Sequence, residues 1–149
     1  MSKSIIILIA RILLSFIFIL SGFGKLSDPA STAGMITGAG LPAATLLAYV
    51  AGLFELASGI AILVGFQTAI VGWLVAAFCV FTGVVFHSGT VAVPGWPEGA
   101  LGWINMLNQI MMMKNFTMAG AYILLATVGA GAISLDARLG LGNRGAVTA

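Results

Sequence analysis

Residues 4–22 read SIIILIARILLSFIFILSG, an apolar run interrupted by a single charge, Arg11. A helix needs about 20 predominantly apolar residues to cross the hydrocarbon core of a bilayer. Further apolar runs of this length lie at about residues 46–64, 68–86 and 116–134. In lipid every backbone polar group must find a partner inside the protein, and four spans cannot close a barrel. The sequence therefore predicts an all-α integral membrane four-helix bundle that forms a single domain over residues 1–149.

The composition excludes most classes of soluble protein. Hydrophobic residues make up 60% of the chain and charged residues 7%, against about 25% charged in a typical soluble domain. The six cations are scattered and form no basic stripe, so we expect a lipid bilayer as partner and no nucleic acid. Cys79 is the single cysteine, which rules out an internal disulfide, and its apolar surroundings disfavour a reactive thiolate.

The connections between the runs differ in length and composition. Residues 23–45 are rich in small and turn-forming residues and are expected to form a loop, whereas the second and third runs are joined by a short turn. Residues 100–113 are apolar with interspersed polar residues, which favours an interfacial or re-entrant helix before the fourth span. The short polar tail after Ser134 is expected to be disordered.

The distribution of cations indicates an orientation. Four spans place both termini on one side, together with Lys3, Arg138 and Arg144, and leave Lys25 and Lys114 on the other. Because cytoplasmic segments carry an excess of Lys and Arg, this count favours cytoplasmic termini.

Arg11 and Glu55 are the charges inside the first two runs. Counted from the adjacent ends of those runs, they lie at similar depth, so we expect an ion pair between the first two helices. Small residues surround Glu55 and let another helix come close. Two roles remain open: the pair fixes helix register, or Glu55 acts on a proton, a quinone or another substrate.

A second polar group is expected at the opposite rim of the bundle, where three connections arrive on the same side. Its members are Lys25, His87, Lys114 and Asn115. They act either as capping and interfacial residues or as a rim that receives an anionic or quinone head group, since cations and amide donors stabilise oxygen acceptors. One histidine with no nearby cysteine supplies too few ligands for a metal, so no metal site is expected.

Four motifs occur in order along the chain. They are RILLSFIFILSGFGKL from Arg11, FELASGIAILVGF from Phe54, FHSG from Phe86 and KNFTMAGAYILLA from Lys114. This ordered set resembles the DoxX family of small bacterial inner-membrane proteins. The resemblance implies a four-helix protein of the bacterial cytoplasmic (inner) membrane. By position it also marks the recurrent polar residues of the family, which here are Arg11, Lys25, Glu55, His87, Lys114 and Asn115.

The resemblance implies less about activity. The family takes its name from subunits of a thiosulfate:quinone oxidoreductase, but most members have no established reaction. We therefore expect an accessory subunit of a redox or oxidative-stress system, without independent catalysis or an intrinsic cofactor, that binds a quinone and acts with a protein partner or as a homo-oligomer. The alternatives are a small transporter in which Glu55 carries a proton, and a membrane scaffold that recruits soluble enzymes.

Overall fold

The computed structural model describes residues 2–141, which contain six α-helices and no β-strand. In chain order these are α1 (Lys3–Ser27), α2 (Pro29–Gly38), α3 (Ala44–Val64), α4 (Thr68–His87), α5 (Glu98–Val128) and α6 (Leu135–Arg138). Within this part of the chain, α1, α3, α4 and α5 are long and apolar enough to cross a membrane. The predicted all-α membrane bundle is confirmed.

The four long helices form two closely packed pairs, α1 with α3 and α4 with α5. Glycines allow this approach: a Cβ added at Gly22 would lie 2.8 Å from the carbonyl oxygen of Gly52, and one at Gly72 would lie 2.9 Å from the Cβ of Ala126. Small residues at such contacts are the usual basis of helix association in membranes. Between the pairs the contact is made mainly by larger side chains, among them Phe18 and Tyr122.

The connection expected to be a loop is largely helical. Helix α1 continues to Ser27, and α2 follows directly and packs against α3. The Asp28 carboxylate accepts a hydrogen bond from the Ser31 backbone N–H at 3.1 Å, and Pro29 is the first residue of α2. Aspartate at the N-cap followed by proline is a common helix start, so this signal was present in the sequence.

Helix α5 also differs from the prediction. The expected interfacial segment at 100–113 and the first part of the expected fourth span at 116–134 belong to one continuous helix that ends at Val128, six residues before the expected end of the span. No glycine or proline lies between Trp103 and Ala119, so nothing interrupts the backbone hydrogen bonds in the middle of this helix. The lower hydropathy of residues 100–113, which suggested a boundary before the fourth span, therefore reflects polar side chains on a continuous helix.

The segment after Ser134 was expected to be disordered, but up to residue 141 it is ordered. It contains α6, and the buried Asp136 carboxylate accepts hydrogen bonds from the backbone N–H groups of Gln67 and Thr68 at 2.7 and 2.9 Å. These N–H groups lie at the start of α4, where a carboxylate satisfies unpaired donors and the helix dipole. The rest of the predicted tail, including Arg144, lies outside the described residues.

Arg11 ties the same end of the bundle together. Its side chain is 1% exposed and donates four hydrogen bonds to backbone carbonyls. Two acceptors lie at the end of α3, Ile62 at 2.9 Å and Leu63 at 2.6 Å. The other two follow α5, Ala130 and Ile133, both at 2.7 Å. The guanidinium therefore joins α1, the end of α3 and the segment after α5.

We expect Arg11→Met to lower the free energy of unfolding by about 3 kcal/mol or more, because each hydrogen bond to a charged group contributes about 1.5–3 kcal/mol. Arg11→Lys should recover only part of this loss, since an ammonium cannot spread its donors over four carbonyls. Denaturant unfolding in detergent micelles measures both changes. Arg138→Met, at an exposed arginine, is the matched control, and equal stability of Arg11→Met and Arg138→Met would contradict the role of Arg11.

Candidate ligand-binding cavity

A cavity of about 540 Å³ lies between the two helix pairs and is partly covered by α2. Its walls are mostly apolar, and residues from α1 to α5 contribute to them, including Phe18, Ile36, Leu47, Phe54, Phe78 and Met118. Pockets of about 300–1,000 Å³ with apolar walls and a few polar groups are typical of small-molecule sites. This cavity is therefore the candidate functional site.

Aromatic rings separate the cavity from the end of the bundle that Arg11 holds. Phe18 makes edge contacts with Tyr122 and Phe78 at ring-centroid distances of 5.5 and 6.3 Å, and Phe54 lies 4.9 Å from Phe78. The Tyr122 hydroxyl donates to the Leu14 carbonyl at 2.7 Å, which fixes the ring against α1. Edge-to-face packing of this kind gives the cavity a rigid apolar base.

Glu55 forms an ion pair inside the cavity with Lys25. The Lys25 ammonium donates to the Glu55 carboxylate at 2.9 Å and to the Ser21 hydroxyl at 2.6 Å. Glu55 is buried, and Gly52 and Gly59 on the same helix let α1 approach it closely. The pair thus connects α1 to α3 in the half of the bundle opposite Arg11.

The predicted Arg11–Glu55 ion pair is wrong, because α1 and α3 are in a different register from the one expected. The prediction aligned residues 4–22 with 46–64 end to end. End-to-end alignment puts Gly59 opposite Ile9, whereas in the structure Gly59 lies against Ile19 and Phe18, an offset of about nine residues, or about 14 Å along the helix. Arg11 consequently reaches the carbonyls at the end of α3, and Glu55 faces Lys25.

His87, at the end of α4, is held by a residue that the sequence reasoning missed. Its Nδ1 lies 2.8 Å from Oδ1 of Asn108, whose amide nitrogen also donates to the Gly89 carbonyl at 2.9 Å. One turn earlier on α5, Asn105 bonds the backbone N–H and carbonyl of Val91 at 2.7 and 3.0 Å. The spacing of Asn105, Asn108 and Asn115 places them along one helical face, which was the available signal.

Lys114 and Asn115 line the cavity from α5. Asn115 is 7% exposed as a residue, and its amide, which is not fully enclosed, makes no hydrogen bond with any residue from 2 to 141. Lys114 is partly exposed and forms no ion pair with that part of the chain. The cavity thus contains an amide and an ammonium that are free to contact a ligand.

The structure brings five of the six sequence-predicted residues to one cavity and places Arg11 elsewhere. The five are Lys25, Glu55, His87, Lys114 and Asn115. The sequence suggested that Glu55 and the rim residues belong to separate sites at opposite ends of the bundle, but in the structure they line the same cavity. Their role toward a ligand stays a prediction. Among residues 2–141 no three His, Cys, Asp or Glu side chains come together in a group that could hold a metal ion.

A family model, DoxX, matches residues 6–88, more than half of the chain. The chain belongs to the DoxX family. It is 36% identical over 130 residues to the inner membrane protein YqjF of Escherichia coli strain K12, covering 87% of this chain and 88% of YqjF. It is 34% identical over 142 residues to the inner membrane protein YphA of the same organism, covering 92% of each. No solved structure matches it.

The position of the family match has a consequence for the site. It includes α1 to α4 and thus the Lys25–Glu55 pair and His87, whereas α5 with Lys114 and Asn115 lies beyond it. The DoxX chain is a multi-pass membrane protein whose cavity combines family-matched helices with a helix outside the matched segment.

A double-mutant cycle tests the ion pair. Glu55→Gln and Lys25→Met should each destabilise the protein, because a buried charge left without its partner costs about 3–5 kcal/mol, somewhat less here since Lys25 is partly exposed. The double change should be less harmful than the sum, with a coupling of about 0.5–3 kcal/mol in unfolding experiments. The control cycle pairs Glu55→Gln with Arg11→Met and should show additivity. Coupling in the control cycle but not in the first would restore the Arg11–Glu55 pair.

Proposed function

We propose that this protein is an accessory subunit of a redox or oxidative-stress system in the bacterial inner membrane, and that its cavity binds a quinone. The observation that carries the proposal is the cavity itself, with apolar walls and a polar group of five residues inside a membrane bundle. The membrane assignment is supported by YqjF and YphA, which are named inner membrane proteins.

A quinone fits the chemistry of the cavity. Its flat ring matches walls rich in phenylalanine, and its carbonyl oxygens match the free donors of Lys114 and Asn115. Val50 on α3 and Phe81 on α4 line the cavity and are each 51% exposed, which supports an opening of the cavity at these positions. These two positions offer a route from the bilayer, which is where an isoprenoid quinone is dissolved.

In this proposal the residues of the chain bind the quinone and exchange protons with it. A quinone carries two electrons and two protons when it is reduced, and in this proposal a partner oxidoreductase supplies the electrons. Glu55 is the one carboxylate among the residues that line the cavity, and it is paired with Lys25 at 2.9 Å. It is therefore the group on this chain best placed to exchange protons with a bound quinone.

Purification in a mild detergent, followed by mass spectrometry of the extracted small molecules, tests the proposal. We expect about one quinone per chain. Ala51→Phe should abolish binding because its side chain fills the cavity, whereas Ala57→Phe, an exposed position on the same helix, should retain it. Wild-type protein that contains no quinone and does not bind added decyl-benzoquinone would refute the proposal.

A proton-linked transporter is the second candidate function. Two observations favour it. The Glu55–Lys25 ion pair lies in the cavity, and the helices pack more closely inside each pair than the two pairs pack against each other. Substrate flux into proteoliposomes that is driven by a proton gradient and lost in Glu55→Gln would support it over the quinone proposal. A scaffold, the third expectation, requires a soluble protein partner that co-purifies equally well with Ala51→Phe.

We also propose that both termini face the cytoplasm. Lys3 and Arg138 are exposed at the end of the bundle where α1 begins and α6 lies, whereas Lys25 and Lys114 at the other end line the cavity and are only partly exposed. This distribution is consistent with the excess of Lys and Arg in cytoplasmic segments, which supports cytoplasmic termini.

Cysteine labelling in intact cells tests this orientation. In a Cys79→Ser background, a membrane-impermeant maleimide should label Thr90→Cys in the exposed α4–α5 connection without permeabilisation. Leu139→Cys, which is exposed near the other end, should be labelled only after permeabilisation. The reverse pattern would place the termini on the periplasmic side.

A further inference from the structure

The polar groups that line the cavity differ in whether they already have partners. Lys25 is bound to Glu55 and Ser21, and His87 is bound through Nδ1 to Asn108. Lys114 and Asn115, next to each other on α5, are bound to neither set. Of the residues expected to form a head-group rim, these two are therefore the ones whose polar groups have no partner at all within residues 2–141, whereas Lys25 and His87 are each held by at least one.

Asn115 is more than nine-tenths buried as a residue, but its amide atoms are not fully enclosed and make no hydrogen bond within residues 2–141. Polar groups of buried residues normally have a partner, so an unpaired amide that borders a cavity is available to a ligand. Gly83 on α4 makes room for it: a Cβ at that position would lie 3.1 Å from the Asn115 Cβ. The side chain is thus seated firmly by its stem while its amide contacts the cavity.

The charge balance of the cavity determines what this pair can bind. The Glu55 carboxylate is occupied by Lys25, so Lys114 has no counterion among the residues that line the cavity. An ammonium offers three donors and no acceptor, whereas an amide offers two donors and an acceptor. A ligand with acceptor oxygens satisfies the donors of both side chains. A cationic head is repelled by Lys114, and a head with donors alone gives its ammonium no acceptor.

We propose that Lys114 and Asn115 form the head-group subsite of the cavity, and that they select an amphipathic ligand whose head presents only acceptor oxygens. The inference rests on the proposed function insofar as the cavity takes a lipid-like molecule. Two sources supply this head chemistry, a quinone carbonyl and a long-chain carboxylate. The subsite is distinct from the Lys25–Glu55 pair and lies outside the segment that matches the family model.

Probes with similar alkyl tails and different heads test the selection. Decyl-benzoquinone, dodecanoate, dodecanol and dodecylamine are titrated onto the full-length protein in detergent, and binding is read by native mass spectrometry. The wild type should bind the first two at least about tenfold more tightly than dodecylamine, a difference of about 1.4 kcal/mol. If dodecanoate binds far more tightly than the benzoquinone, the head is a carboxylate; the opposite order identifies a quinone.

Two substitutions assign the selection to the subsite. Asn115→Leu and Lys114→Met should each weaken binding of acceptor-headed probes about tenfold while changing dodecanol binding by less than about threefold. Lys114→Met should affect dodecanoate more than the neutral benzoquinone. Asn115→Asp, which keeps the shape and reverses the hydrogen-bonding character, should shift the preference toward dodecylamine. Lys3→Met, an exposed position away from the cavity, is the matched control.

The outcomes separate this inference from the proposed function. Equal loss of all four probes in the α5 variants would mean that Asn115 and Lys114 only support the fold, and unchanged selectivity would mean that other residues contact the head. Either result overturns the subsite while the loss of binding in Ala51→Phe still supports the cavity. If the wild type binds none of the probes, the proposed function fails together with the subsite.

Discussion

Arg11 determines how the ends of this bundle meet. One guanidinium, buried in apolar surroundings, is satisfied by four backbone carbonyls from the end of α3 and the segment after α5. Carbonyls in the last turn of a helix lack the N–H partners of the helix interior and carry the negative end of the helix dipole, so a fixed cation there stabilises them. Gly65 is part of the same arrangement: it adopts φ +69°, and a Cβ at this position would lie 2.8 Å from the guanidinium carbon. Asp136 completes this end by binding the start of α4.

Because charged and capping groups hold one end of the bundle, the other end is free to contain a cavity. Close glycine packing draws α1 to α3 and α4 to α5, and the bulky rings of Phe18, Phe78 and Tyr122 keep the two pairs apart beyond that end. The cavity therefore follows from the contrast between small residues within the pairs and large residues between them. Such a space inside a membrane bundle has apolar walls, and the few polar groups in it are the ones available to bind a ligand.

The candidate site was partly predictable from residue type. Charged and amide side chains in otherwise apolar spans are few, and they cluster in membrane proteins because each needs a partner or a polar cavity. This argument selected Lys25, Glu55, His87, Lys114 and Asn115, which line one cavity in the structure, while their role toward a ligand stays a prediction. It could not pair them, because an antiparallel register shift of about nine residues changes which side chains meet without altering the hydropathy of either helix. Asn108 was missed because the sequence reasoning assigned its segment to the interface.

The sequence by itself determined that this chain crosses a membrane, that it does so with helices, and that a small set of polar residues lies within those helices. These conclusions depend on composition and on the length of apolar runs, which the bilayer constrains directly. Only the tertiary structure decided that Arg11 binds carbonyls and that Glu55 binds Lys25. It alone also placed the amide of Asn115 free in the cavity. Partners inside a bundle depend on register, helix length and the approach that glycines permit, and these are properties of packed helices rather than of any one segment.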